Sequence, residues 1–141
     1  MKIVLDTNVL ISGLLTPFGP SAKVVRMLFN GELELYLDAR ILSEYREVLQ
    51  RPKFNFNYDN VTVTVDFIEQ HGHFISALPL INHLPDPEDE PFLEVAAAGN
   101  AKAHVTGNKK HFPSPASGGI NIFSPSEFLE FHEKLRRKNP S

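Results

Sequence analysis

The chain has 141 residues, 42% of them hydrophobic and 22% charged, with a formal net charge of −3 and no cysteine. That length suits one domain, 1–141, with a full hydrophobic core, and the absence of thiols excludes a disulfide framework and a thiolate metal site, which fits a reducing, cytoplasmic setting. The acidic balance excludes a protein that grips nucleic acid with its whole surface, and no stretch approaches the roughly 18 apolar residues needed to span a bilayer.

"KIVLD" (2–6) is a β-branched and leucine run ending in an acid, the pattern of a fully buried strand. Asp6 and Asn8 interrupt the apolar N-terminus and no small-residue cleavage pattern follows, so a core strand is expected there rather than a secretory signal. "NVLISGLL" follows as a helix that Asp6 or Thr7 would cap. After the turn "TPFGP", "SAKVVRMLFNG" is expected to be a helix opened by Ser21 and closed by Gly31, with Val24, Val25, Leu28 and Phe29 on one face. "LELYL" (33–37) alternates as a second strand. "DARILSEYREVLQR" then has Asp38 as N-cap, an apolar stripe of Ile41, Leu42, Tyr45, Val48 and Leu49, and Pro52 as the stop.

Residues 54–78 are ambiguous, because "VTVTV" alternates like a strand while Asn60, Val61, Val65, Phe67, Ile68 and Gly72 outline a capped helix. The helix is the preferred reading, followed by a short strand in "HFISAL". "LPDPEDEPFLEVAAAGN" reads as a helix with Phe92, Leu93, Val95 and Ala96 inward, Gly99 at its end and carboxylates crowding its first turn, where the helix dipole favours them. "AHVTG" and "INIF" are the last strands, separated by a flexible "PSPASGG", and Ser124-Pro125 opens the closing helix "SEFLEFHEKLRR". Strands and helices alternate without a repeat or a long linker, so the expected fold is α/β: a three-layer α/β/α sandwich around a parallel, Rossmann-like sheet. Sites in such folds lie beyond the carboxyl ends of the strands.

The acids have that address. Asp6 ends a buried strand, and carboxylates avoid burial unless they are paired or hold a metal. Glu44 lies mid-helix in "SEYREVL", where taken alone it reads as a solvated surface residue of the helix. Asp86, Glu88, Asp89 and Glu90 lie before or at a helix start, where any of them could be a cap, and Asp89 is the best placed of them. Together, an oxygen-only set of this kind suits a hard cation, Mg²⁺ or Mn²⁺, which activates water and stabilises the charge developing on a phosphodiester. Arg51 with Lys53, Lys109 with Lys110, and the tail "KLRRKNP" are the local basic patches.

"MKIVLDTNVLISGLL", "LSEYREVLQRPKF", "DPEDEPFLEVAAAGNAKAHVTGNKKHF" and "INIFSPSEFLEF", in this order and over nearly the whole chain, resemble the PIN domain. The likeness is strongest to small bacterial and archaeal PIN proteins described as toxins of toxin–antitoxin pairs. It implies a metal-dependent, single-strand-specific ribonuclease that is cytoplasmic, homodimeric and silenced by an antitoxin protein. Position by position, the family's catalytic and metal-binding acids match Asp6, Glu44 and Asp89, with Asp86 as a reserve ligand. Thr7 and Asn8 complete the usual "DTN", Thr7 as hydrogen-bonding support, and Thr106 offers a hydroxyl nearby. The fourth acid of "VTGD" is replaced by Asn108, which offers a metal a carbonyl oxygen but no charge, so weaker affinity or single-metal chemistry is expected. Arg51, Lys109 and Lys110 would guide the RNA backbone.

The six histidines form no ligand set: His83, His104 and His132 read as solvent or core-edge residues, and His111, in "NKKHF", as structural although close to the acids. The eleven phenylalanines read as core, with any exposed remainder available to a partner. Two competing functions remain: a weakened PIN fold that binds RNA or protein, and an aspartyl phosphatase. The latter wants a second acid two residues after the first, where Asn8 stands.

Overall fold

In the computed structural model, which describes residues 1–138, the first apolar run forms β1 (Lys2–Leu5), and Ile3, Val4 and Leu5 are completely buried. A strand covered on both faces has no use for a polar alternation, and this one has none. Then come α1 (Thr7–Leu15), α2 (Pro20–Phe29), β2 (Glu34–Leu37), α3 (Ala39–Leu49), α4 (Tyr58–His71), β3 (His73–Phe74), α5 (Glu90–Gly99), β4 (Ala103–Val105), the short α6 (Ser114–Ser117), β5 (Ile122–Phe123) and α7 (Pro125–Lys138). The final residues of the basic tail, 139–141, lie outside the described residues.

All five strands pair in parallel in the order β3-β2-β1-β4-β5, flanked by helices as a three-layer sandwich requires. Ile3 lies beside Leu35 on one side and Ala103 on the other, and Leu5 beside Val105. The chain therefore winds outward from β1 through β2 to β3, then returns to add β4 and β5 on the opposite edge. This reversal opens a crevice at the carboxyl ends of β1 and β4, the usual address of a site in such sheets.

Several helix starts differ from the sequence expectation. α2 begins at Pro20 behind Gly19, not at Ser21, because proline at the first helical position has its φ preset and gives up a donor that no partner awaits. α4 is capped by Asn57, whose Oδ1 accepts from the amides of Asp59 and Asn60, so Asn60 is inside the helix rather than its cap. The alternating "VTVTV" is helical there: Val61, Val65 and Ile68 bury at helical spacing while Val63 is 68% exposed. Tertiary burial overrides β-propensity in this stretch. The strand expected over "HFISAL" shrinks to His73–Phe74, and "PSPASGG" contains the one-turn α6.

Other signals coincide with the structure. Asp38 caps α3 through Arg40 N and Ile41 N, at 3.0 and 3.1 Å. Ser124 and Glu127 form a reciprocal capping box at the start of α7. Tyr45, fully buried on α3, donates its hydroxyl to Leu5 O at 2.5 Å, which fixes α3 against the end of β1. α1 and α2 approach so closely at Gly13 that an added Cβ would lie 2.7 Å from Ser21 O.

Candidate functional site

β1 passes into α1 without a loop, and Asp6 is the junction residue. Its backbone does the local work: its N–H donates to Val105 O at 2.9 Å and its carbonyl accepts from Val9 N. Its side chain makes no helix cap. The parallel register places Thr106 next to it instead, and the buried Thr106 hydroxyl donates to Asp6 Oδ2 at 2.6 Å. The carboxylate of Asp6 is 9% exposed.

Glu44 reaches the same place from α3, the helix that Tyr45 anchors. The Thr7 hydroxyl donates to Glu44 Oε2, so the residue after the strand acid holds the second acid. Burial raises the Glu44 pKa; Asp6 and Glu88 push it the same way, and the Thr7 hydrogen bond opposes them. Asp89 ends a 3-10 turn (Pro87–Asp89) leading into α5, and Asp86 caps that turn by accepting from Glu88 N at 2.9 Å. Burial, then the negative charge of Asp6, lifts the Asp89 carboxyl from 3.8 to about 6, while His111 works against the rise.

The structure thus brings Asp6, Glu44, Asp86 and Asp89 to one open cleft of about 500 Å³, together with Thr7 and the exposed Asn8. Arg51 lies on its rim, where it also pairs with Glu47 at 2.9 Å. Lys109 and Lys110 do not line the cleft, and Lys109 instead bridges to Glu127 on α7 at 3.0 Å. Asn108 does not line it either: its N–H donates to Thr106 Oγ1 at 3.1 Å, and its side-chain Nδ2 lies 2.9 Å from His111 Nε2. His111 Nδ1 is in turn 3.0 Å from Asp89 Oδ2, without hydrogen-bond alignment, and Asp89 Oδ2 is buried with no hydrogen-bond partner.

His104, expected at the core edge or in solvent, is completely buried beneath Asp6. It stands on β4 beside Val4, stacked on Phe92 at 5.6 Å and edge-on to Phe112 at 4.6 Å. Burial pushes its pKa down to about 4, against the pull of Asp6, so the ring is neutral near pH 7. Its Nδ1 lies 3.3 Å from Val4 O, while Nε2 faces Asp6 Oδ2 at 3.8 Å and has no hydrogen-bond partner. The histidine position inside the apolar "AHV" strand was the signal for its burial; its proximity to Asp6 depends on register. Glu88, from the acidic group before α5, and Lys53, from the basic patch with Arg51, also line the cleft.

Among the described residues no group of three or more histidine, aspartate or glutamate side chains is arranged to hold a metal ion. The chemistry of the cleft nevertheless fits a hard divalent cation. Its acids are oxygen donors, the pKa values of Glu44 and Asp89 are raised by burial and by other acids, and a buried Asp89 oxygen lacks a donor. A positive charge relieves the last two conditions.

A parallel α/β sheet with an acid-lined crevice at its reversal point defines the class. The PIN domain family model matches residues 2–110, and the chain belongs to that family. It is 26% identical over 146 aligned positions to "Uncharacterized protein MJ1680" of Methanocaldococcus jannaschii, an alignment covering 96% of this chain and 94% of that protein. The fold is similar to the crystal structure of FitAcB from Neisseria gonorrhoeae, with a TM-score of 0.54, 18% identity, and coverage of 88% of this chain and 98% of that one. No helix among the described residues is long and apolar enough to cross a membrane.

Proposed function

We propose that this chain is a one-domain, metal-dependent ribonuclease that cuts single-stranded RNA, acting in the cytoplasm as the toxin of a toxin–antitoxin pair. The observation that carries the reading is the convergence of Asp6, Glu44 and Asp89 from three separate elements on one cleft, with Asp89 and Glu44 raised in pKa. Burial first and neighbouring acids second raise Glu44 and Asp89, a pattern that marks functional sites.

Asp6, Glu44 and Asp89 would hold Mg²⁺ or Mn²⁺, with Asp86 in reserve. When bound, the ion supplies a water nucleophile at neutral pH and Lewis-acid stabilisation of the phosphate. The protein's own part is positioning. Thr106 and Thr7 fix the carboxylates of Asp6 and Glu44 by hydrogen bonds. Arg51, on the rim, meets the phosphate backbone, where a guanidinium binds in a bidentate manner. Lys109 and Lys110, outside the cleft, would serve RNA extending beyond it. A homodimer and an antitoxin protein are the proposed partners. The 83% exposed Phe18 and the 80% and 95% exposed Leu78 and Ile81 supply apolar surface for them.

The test is cleavage of a mixed single-stranded RNA pool with Mn²⁺, comparing the wild type with Asp6→Asn. Cleavage by the wild type alone supports the reading, and equal cleavage by both sinks it. The second reading, a PIN fold that binds RNA or protein without cutting, is favoured by Asn108 in place of an acid. Calorimetry separates the two, since a cleft that takes up no Mn²⁺ cannot run this chemistry.

A further inference from the structure

The corner expected to hold a fourth acid is occupied by two residues in contact, and this inference rests on the cation reading of the cleft. Asn108 Nδ2 faces His111 Nε2 at 2.9 Å. An amide N–H only donates, so Nε2 of the neutral ring is the acceptor and the ring proton belongs on Nδ1. That nitrogen is the one lying 3.0 Å from Asp89 Oδ2, the buried oxygen without a donor. Asn108 is itself tied to the strand end, through its N–H on Thr106 Oγ1, and Thr106 holds Asp6. One chain of contacts therefore runs from Asp6 through Thr106, Asn108 and His111 to Asp89.

We propose that Asn108 and His111 form a relay that orients Asp89 toward the cation, so that the fourth corner supplies a positioning pair rather than a metal ligand. Two features favour this over direct ligation by Asn108. Asn108 does not line the cleft, whereas His111 does. The amide nitrogen, not the carbonyl oxygen, meets the ring. A ring N–H turned toward a ligand carboxylate is placed to act as an outer partner and set the orientation of the ligand.

The test has a readout independent of both metal and activity. Long-range proton–nitrogen NMR of His111 at alkaline pH is expected to show the Nδ1–H tautomer in the wild type and a shift toward Nε2–H in Asn108→Ala. Mn²⁺ titration followed by electron paramagnetic resonance is expected to show roughly tenfold weaker binding in Asn108→Ala and in His111→Ala, with no further loss in the double variant because the two act in series. An Nε2–H tautomer in the wild type, additive losses, or nitrogen hyperfine coupling from His111 to bound Mn²⁺ would overturn the relay while leaving the nuclease reading intact. Failure of the wild type to bind Mn²⁺ would remove both.

Discussion

Asp89 should destabilise the metal-free protein, and Asp89→Asn should reveal by how much. The fold lifts this carboxyl from 3.8 to about 6, through burial first and the charge of Asp6 second. At about 1.36 kcal/mol per tenfold change in proton affinity, that rise corresponds to about 3 kcal/mol; the cleft is open to water, whose screening reduces it to about 1–2 kcal/mol. The native state holds the proton more tightly than the unfolded chain. The stabilising contribution is therefore complete below 3.8 and is lost as the pH rises through about 6. An amide at this position resembles the protonated acid at every pH. Denaturation in chelator is thus expected to find Asp89→Asn more stable than the wild type by about 1–2 kcal/mol at neutral pH, the difference closing as the pH falls toward 3.8. Excess Mn²⁺ should then reverse the ranking, since a ligand at 100-fold its Kd adds about 2.7 kcal/mol to the protein that binds it. Equal stability of the two proteins at neutral pH, or a difference that ignores pH, would refute the reasoning.

Thr106→Val keeps the shape of the side chain but removes the donor to Asp6 Oδ2 in a buried setting. It should cost about 2 kcal/mol by denaturant unfolding, and an unchanged midpoint would mean that Asp6 does not depend on this hydroxyl. Gly13→Ala should be destabilising although alanine favours helix, because its Cβ would lie 2.4 Å from Val25 Cγ2 and 2.7 Å from the carbonyl of Ser21. Separating α1 from α2 should outweigh the roughly 1 kcal/mol propensity gain, and a raised Tm would contradict the close approach.

Much of the molecule is legible in local chemistry. Asp38 before an apolar stripe reads as an N-cap and is one; "KIVLD" reads as a buried strand and is one. Capping and burial patterns act within a few residues, so they survive in the chain order. The boundaries at Gly19 and Asn57 and the helical state of "VTVTV" are less legible, because each is a competition among nearby alternatives that packing decides.

The sequence by itself determined the α/β alternation, the acids at strand and helix ends, and the departure at Asn108. Those features arise from residue type and short-range periodicity, and the order of four motifs pointed to the PIN family. Only the tertiary structure decided what each acid meets. Parallel register set Thr106 and His104 against Asp6, residues 100 and 98 positions apart from it in "KIVLD" and "AHVTG" numbering. Helix packing brought Glu44 onto Thr7, and the turn after β4 carried His111 to Asp89 while turning Lys109 toward Glu127. Contacts between distant segments depend on strand order and register, which residue type does not encode locally; that is why the meaning of Asn108 had to be read from its neighbour His111.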